Sequence, residues 1–299
     1  MEMSIFHSSK CRQPKHYPMK KIVLFLSALL VTIVSEAQTA TSLFWVSDSL
    51  QVSEVVSETG DVSELLGHSG PAVENSHMIM RLPFDNSGSV DIYSKSGRGM
   101  ELYRYFWHPT ALQQESDGAG CDAYEVGSTI GCGGFALWDG EQPVRLIAEK
   151  GRTARVGETK KGSFAEIVAY GVKYMGESVD VMIRIDVNAK SRVATVTASE
   201  LSGRKVRFMT GVNYHEGQKV THGNGYMTVW GQHPVEGVQM PVGAALLFSD
   251  KDFPLMEKVD DMVRIISEPA AEVKTRIIAA SAKEAELNSA KRFEEYVVD

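Results

Sequence analysis

From Gln51 onward the chain is cut into short stretches rich in Val, Ile, Tyr, Phe and Thr, separated by Gly, Asn, Asp and Ser, and this strand-then-turn rhythm constrains the fold most. The stretch Val181-Met182-Ile183-Arg184-Ile185-Asp186-Val187 alternates apolar and polar residues, the period of two that gives a strand one buried face. The same composition predicts strands over residues 78–82, 90–93, 101–106, 135–138, 144–149, 164–174, 179–187, 192–199, 206–212, 227–230, 244–248 and 273–279. Helical periodicity is confined to residues 282–297, where Ala282, Ala285, Ala290, Phe293 and Val297 recur among charged side chains. Parallel strands need long crossover connections, which are lacking here, so the sequence predicts an all-β fold. The expected form is a large antiparallel two-sheet sandwich with a C-terminal amphipathic helix.

The N-terminus has a separate logic. Met19-Lys20-Lys21, the apolar run from Ile22 to Val34 and Ser35-Glu36-Ala37 have the three-part layout of a secretory signal peptide. Residues 1–37 are therefore expected to be a leader, with the signal peptide at 19–37 and cleavage after Ala37. Residues 38–66 are expected to form an irregular N-terminal arm and residues 67–299 a single β-sandwich domain. No Cys follows the apolar run where a lipid would attach, which favours a periplasmic or secreted product. The full chain carries 31 Lys and Arg against 38 Asp and Glu. Such an acidic balance argues against a nucleic-acid partner, and no apolar run reaches the roughly 18 residues of a membrane span. Cys11 leaves with the leader; Cys121 and Cys132 remain, either bridged or as two small buried thiols.

Three segments concentrate reactive groups. Residues 107–140 hold His108, Asp117, Cys121, Asp122, Tyr124 and Glu125 among many glycines, which let backbone approach a ligand closely. Residues 213–233 hold Asn213, Tyr214, His215, His222, Trp230 and His233, a mixture of aromatic faces and directional polar groups that suits a sugar. Three histidines there raise the question of a metal, but neither an H-E-x-x-H pair nor a cysteine pair at ligand spacing is present. No metal and no cofactor are expected. The third segment, Gly67 to Asn75, sets His68, Glu74 and Asn75 around a Gly-Pro turn. Absence of a G-x-S-x-G elbow, a P-loop and an EF-hand loop argues against esterase, kinase and calcium-sensor functions.

Gly70-Pro71-Ala72-Val73-Glu74-Asn75, Val90-Asp91-Ile92-Tyr93-Ser94-Lys95 with Gly99-Met100-Glu101-Leu102, Gly120-Cys121-Asp122 leading to Val126-Gly127, and Gly131-Cys132-Gly133-Gly134 with Trp138-Asp139-Gly140 occur in this order. In these motifs the chain resembles the bacterial family catalogued as domain of unknown function 4861, common in exported proteins of polysaccharide-degrading Bacteroidetes. The resemblance implies a galactose-mutarotase-like supersandwich and a role in glycan breakdown, with some relatives looking like lyases or dehydratases on uronate-containing oligosaccharides. It supplies no family-wide catalytic assignment. The chain is shorter between its leader and Gly67 than the longer relatives.

A lyase or dehydratase must remove a proton beside a carboxylate and stabilise the resulting negative charge. Tyr214 and His215 are the expected base and acid, with His222 as a further catalytic candidate. Glu74 and Asp122 are alternative carboxylates; as a pair about 5 to 10 Å apart they would instead suit a glycoside hydrolase. Arg152 or Arg155 with Asn75 would hold a uronate carboxylate, His68 and His108 would contact substrate, and Trp230 would stack on a sugar ring. The expected partner is an oligosaccharide or polysaccharide fragment. The rival expectation is a non-catalytic glycan-binding or accessory module using the same side chains.

Overall fold

The computed structural model describes residues 38–299. The expected leader, with its signal peptide and Cys11, lies outside the described residues. One layer is a nine-stranded antiparallel sheet, in the order Lys219–Gly223, Tyr226–Gly231, Val242–Leu247, Glu272–Ser281, Ala194–Glu200, Glu177–Asn188, Gly162–Tyr174, Arg152–Glu158 and Glu54–Ser57. The alternation around Val181–Val187 becomes the strand Glu177–Asn188, whose Val181, Ile183, Ile185 and Val187 are buried while Arg184 and Asp186 face outward. These inward residues pack with Val196, Ile277, Leu246, Phe135, Phe208 and Ile265 in the main core. The protein is thus an all-β antiparallel sandwich.

The opposing layer is not one continuous sheet. It consists of a four-stranded sheet, Thr39–Ser42, Ala72–Asn75, Ile79–Arg81 and Asp91–Tyr93, and a five-stranded sheet, Leu255–Lys258, Met262–Ile266, Phe208–Asn213, Ala136–Trp138 and Pro143–Val144. The glycine-rich segment stitches the two together through the bridges Ser94–Cys121, Val90–Gly131 and Cys132–Val212. Glycine is needed there: a Cβ on Gly131, at φ 68°, would lie 2.1 Å from the Val90 carbonyl oxygen. Cys121 and Cys132 are both free and buried in this seam.

Local departures from the sequence reading have tertiary causes. Residues 38–66 contribute the strand Thr39–Ser42 to the four-stranded sheet and Glu54–Ser57 to the edge of the nine-stranded sheet. Residues 101–106, expected as a strand, hold the helical turn Leu102–Tyr105, because the buried Glu74 carboxylate accepts the Glu101 and Leu102 N–H groups at 2.7 and 2.8 Å. Its other demand is met by Lys95 Nζ at 2.6 Å. The C-terminal helix is shorter than its periodicity, Ala290–Val298, and is capped by the Ser289 side chain. Phe293 and Val297 bury it on the outer face of the nine-stranded sheet, beside Trp230 and Ile278.

Candidate functional site

The seam between the two smaller sheets opens into a polar cleft of about 320 Å³, lined among others by Ser69, Arg81, Asp91, Asp122, Tyr124 and Glu125. Arg81 ends one strand and Asp91 begins the next, directly opposite in the antiparallel register. Arg81 Nε donates to Asp91 Oδ2 at 2.8 Å, and the guanidinium lies 3.6 Å from Asp122 and 4.4 Å above the Trp107 ring. One cation thus serves two carboxylates and is flattened on an indole face.

Burial separates the two acids. The Asp91 side chain is 5% exposed and that of Asp122 34%. Burial pushes the Asp91 carboxyl up to about 7, an effect that Arg81 opposes and the neighbouring Asp122 charge reinforces. Asp122 is also raised by burial, with Arg81 and the nearby Trp107 indole working against it. His68, buried next to this group, is pushed down to about 4 by burial and by the Arg81 and His108 charges. Its Nε2 meets Ser42 Oγ at 3.0 Å, and the Ser42 hydroxyl donates to Gln51 Oε1 at 3.1 Å.

Two turns beside the cleft are strained. His68 and Ser69 sit at φ 58° and 60°, Phe106 and Trp107 at 47° and 70°. Left-handed backbone at a non-glycine residue costs about 1–3 kcal/mol and persists only where packing imposes it. Here the two turns brace each other, with His68 stacked 6.3 Å from the Phe106 ring and 6.3 Å from Trp107. They set Trp107 under Arg81 and leave Phe106 and His108 exposed on the rim.

Behind the cleft, the Glu125 peptide is held on both edges. Its carbonyl accepts from Asn213 Nδ2 at 2.8 Å and from His215 Nε2 at 3.1 Å, while its N–H donates to His233 Nδ1 at 3.1 Å. Asn213 Oδ1 in turn accepts from the Tyr124 hydroxyl. Burial, aided by the His215 charge, pushes His233 down to about 3, so it is neutral and accepts on Nδ1. Among the described residues no three His, Cys, Asp or Glu side chains converge to hold a metal ion.

The family model described as "Domain of unknown function (DUF4861)" matches residues 35–299. The chain belongs to this family. No curated protein sequence matches it. The solved structures similar to this DUF4861 chain include two at 8% identity. One is a 4-alpha-glucanotransferase from Thermococcus litoralis, with TM-score 0.33, covering 71% of this chain; the match spans only 39% of that enzyme. The other is a protein assigned as an aldose 1-epimerase from Klebsiella pneumoniae subsp. pneumoniae, with TM-score 0.34, covering 87% of this chain and 95% of that one.

In this DUF4861 member the structure gathers Asp122, His68 and His108 around Arg81 and brings His215 to the wall behind. The other residues singled out in the sequence lie elsewhere. Tyr214, next to His215, donates its hydroxyl to the Val259 carbonyl. His222 is exposed on the edge strand Lys219–Gly223. Glu74 is consumed by Lys95 and the helical turn, and Asn75 by backbone groups of His77, Met78, Asn188 and Ser191. Arg152 is buried and donates to the Leu146 carbonyl and to Asn86, bracing a loop from below. Arg155 pairs with Glu54 on the outer face of the large sheet, and Trp230 packs under the C-terminal helix. At the centre, Arg81 carries no local sequence mark and Asp91 stands in the Val90-Asp91-Ile92-Tyr93-Ser94-Lys95 motif without an assigned role; what unites them is a register match across a strand pair.

Proposed function

We propose that this protein is an exported carbohydrate-processing enzyme of the lyase or dehydratase type, acting on uronate-containing oligosaccharides in the Arg81 cleft. The observation that carries the reading is one guanidinium shared by two carboxylates of unequal burial, with the deeper acid poised near neutrality. Arg81 is the sole cation among the side chains lining the cleft, and its edge toward Asp122 is where a uronate carboxylate would dock. Docking there withdraws charge from the carboxylate and acidifies the neighbouring C–H. Asp122, the more exposed acid, takes that proton; a C=C bond forms as the C–O bond to the β oxygen breaks. His108 on the rim gives the departing oxygen a proton. Asp91 holds Arg81 in place, and Asn213, His215 and His233 fix the Tyr124–Glu125 wall. Export rests on the Lys20-Lys21, Ile22–Val34 and Ala37 layout of the N-terminus.

Incubation with uronate oligosaccharides tests the reaction. Elimination gives a product with the ultraviolet absorbance of a conjugated alkene, and release of water lowers the mass accordingly. Asp122→Asn should slow turnover by at least about 100-fold while substrate still binds. A product that gains water identifies a hydrolase, and binding without any product identifies an accessory module. Undiminished turnover in Asp122→Asn refutes the assignment.

A further inference from the structure

A second depression lies away from the cleft, on the outer face of the nine-stranded sheet. It is an open groove of about 630 Å³ lined by Lys160, Lys161, Asp186, Asn188, Thr195 and Arg276, among others. Asp186, Thr195 and Arg276 stand opposite one another on three adjacent strands, so the register alone lines them up across the sheet. Lys160 and Lys161 come from the turn that enters the strand Gly162–Tyr174. The one carboxylate among these residues, Asp186, is held by Arg184 at 2.9 Å, and none of Lys160, Lys161 and Arg276 joins an ion pair among the described residues. Three free cations therefore share one groove on a chain whose formal net charge is −7.

The walls are built before any ligand arrives. Thr159 closes its turn by accepting the Gly162 N–H at 3.1 Å and donating its own N–H to the Gly162 carbonyl at 2.7 Å. That turn presses on the neighbouring strand so closely that a Cβ on Gly162 would lie 1.9 Å from the Val187 carbonyl oxygen. On the opposite wall, the buried Asn75 amide donates to the carbonyls of Asn188 and Ser191. Rigid walls lower the ordering cost of binding.

We infer that this groove is a second binding site, for a polyanionic glycan chain whose carboxylates or sulfates meet Lys160, Lys161 and Arg276. The remaining lining groups, the Thr159, Ser191 and Thr195 hydroxyls and the Asn188 amide, match sugar hydroxyls. No aromatic side chain lines it, so it offers no stacking platform for nucleic-acid bases. The site is independent of whatever reaction the Arg81 cleft performs.

Affinity electrophoresis of the mature protein through gels containing polygalacturonate, dextran sulfate or neutral dextran tests this. The protein should be retarded by polygalacturonate, by dextran sulfate or by both, and not by dextran; the two charged gels tell carboxylate from sulfate recognition. Added salt should weaken the retardation. Three exposed contacts at about threefold each predict about 30-fold weaker binding for the variant combining Lys160→Ala, Lys161→Ala and Arg276→Ala. All three side chains are exposed, so its melting temperature should be unchanged, and its turnover of a short uronate oligosaccharide should be that of the parent. Arg81→Gln, which takes the cation out of the cleft, should still be retarded by the same charged gels. Equal retardation by dextran, a triple variant within about threefold of the parent, or tighter binding of single-stranded DNA than of either charged glycan would overturn the site.

Discussion

Replacing Asp91 by Asn isolates the electrostatic state of the cleft. Because burial lifts its carboxyl from an ordinary 3.8 to about 7, the folded protein keeps a proton that the unfolded chain has already released over that interval. Asp91 therefore contributes stability that is fully present below about pH 4 and is lost as pH rises to about 7. At about 1.4 kcal/mol per pH unit, the loss amounts to about 4 kcal/mol. Asp91→Asn has no such proton, so the stability of the parent relative to the variant should fall by about that amount between pH 4 and pH 8. Because Asp91 and Asp122 share Arg81 and act on each other, the difference reports the titration of the pair. Urea unfolding of both at several pH values measures it. With a slope of about 3 kcal/mol per molar urea, the gap between midpoints should shift by more than about 1 M. Curves that stay parallel within about 1 kcal/mol would show that Arg81 already holds Asp91 ionised in acid, and would remove the near-neutral proton from the proposed site.

Glu74→Gln leaves Lys95 buried without its counter-charge and should cost about 3–5 kcal/mol in urea unfolding; a loss below about 1 kcal/mol would mean that the pair is solvated. Phe293→Ala empties the contact between the C-terminal helix and Trp230 and should cost about 3–5 kcal/mol, seen as a lowered melting temperature. Burial pushes the Cys121 and Cys132 thiols up to about 11 and about 12. In the folded protein Cys121 and Cys132 should resist a thiol reagent until urea is added and then react together; a mass two hydrogens short without reductant would contradict the free thiols.

Strands such as Glu177–Asn188 were legible because a period of two over a long run encodes its own buried face, independent of partners. The turn Leu102–Tyr105 was not, since its N–H groups are satisfied by a carboxylate nearly thirty residues earlier. Thr110 and Gln113 form a capping box at the start of Ala111–Ser116, a local signal too short to show as periodicity, so a reading that confined helix to residues 282–297 passes over it. The cleft divides in the same way. His68, His108 and Asp122 lie in motifs that stand out as glycine-rich turns, whereas the Arg81–Asp91 pair exists only once two strands are in register. Trp230 resembles a sugar platform by composition, yet its ring is taken by Phe293.

The grip on the Glu125 peptide has a kinetic meaning. Its three holders stand 88, 90 and 108 residues further along the chain, so the wall of the cleft closes only after nearly the whole sandwich has assembled. Loops of that length close slowly, and their contacts give nothing back until late. During refolding, the hydrogen bonds that hold the Glu125 peptide should form after the far-ultraviolet strand signal, and a nascent chain still short of His233 would lack both that holder and the strand Glu272–Ser281 that joins the two halves of the large sheet.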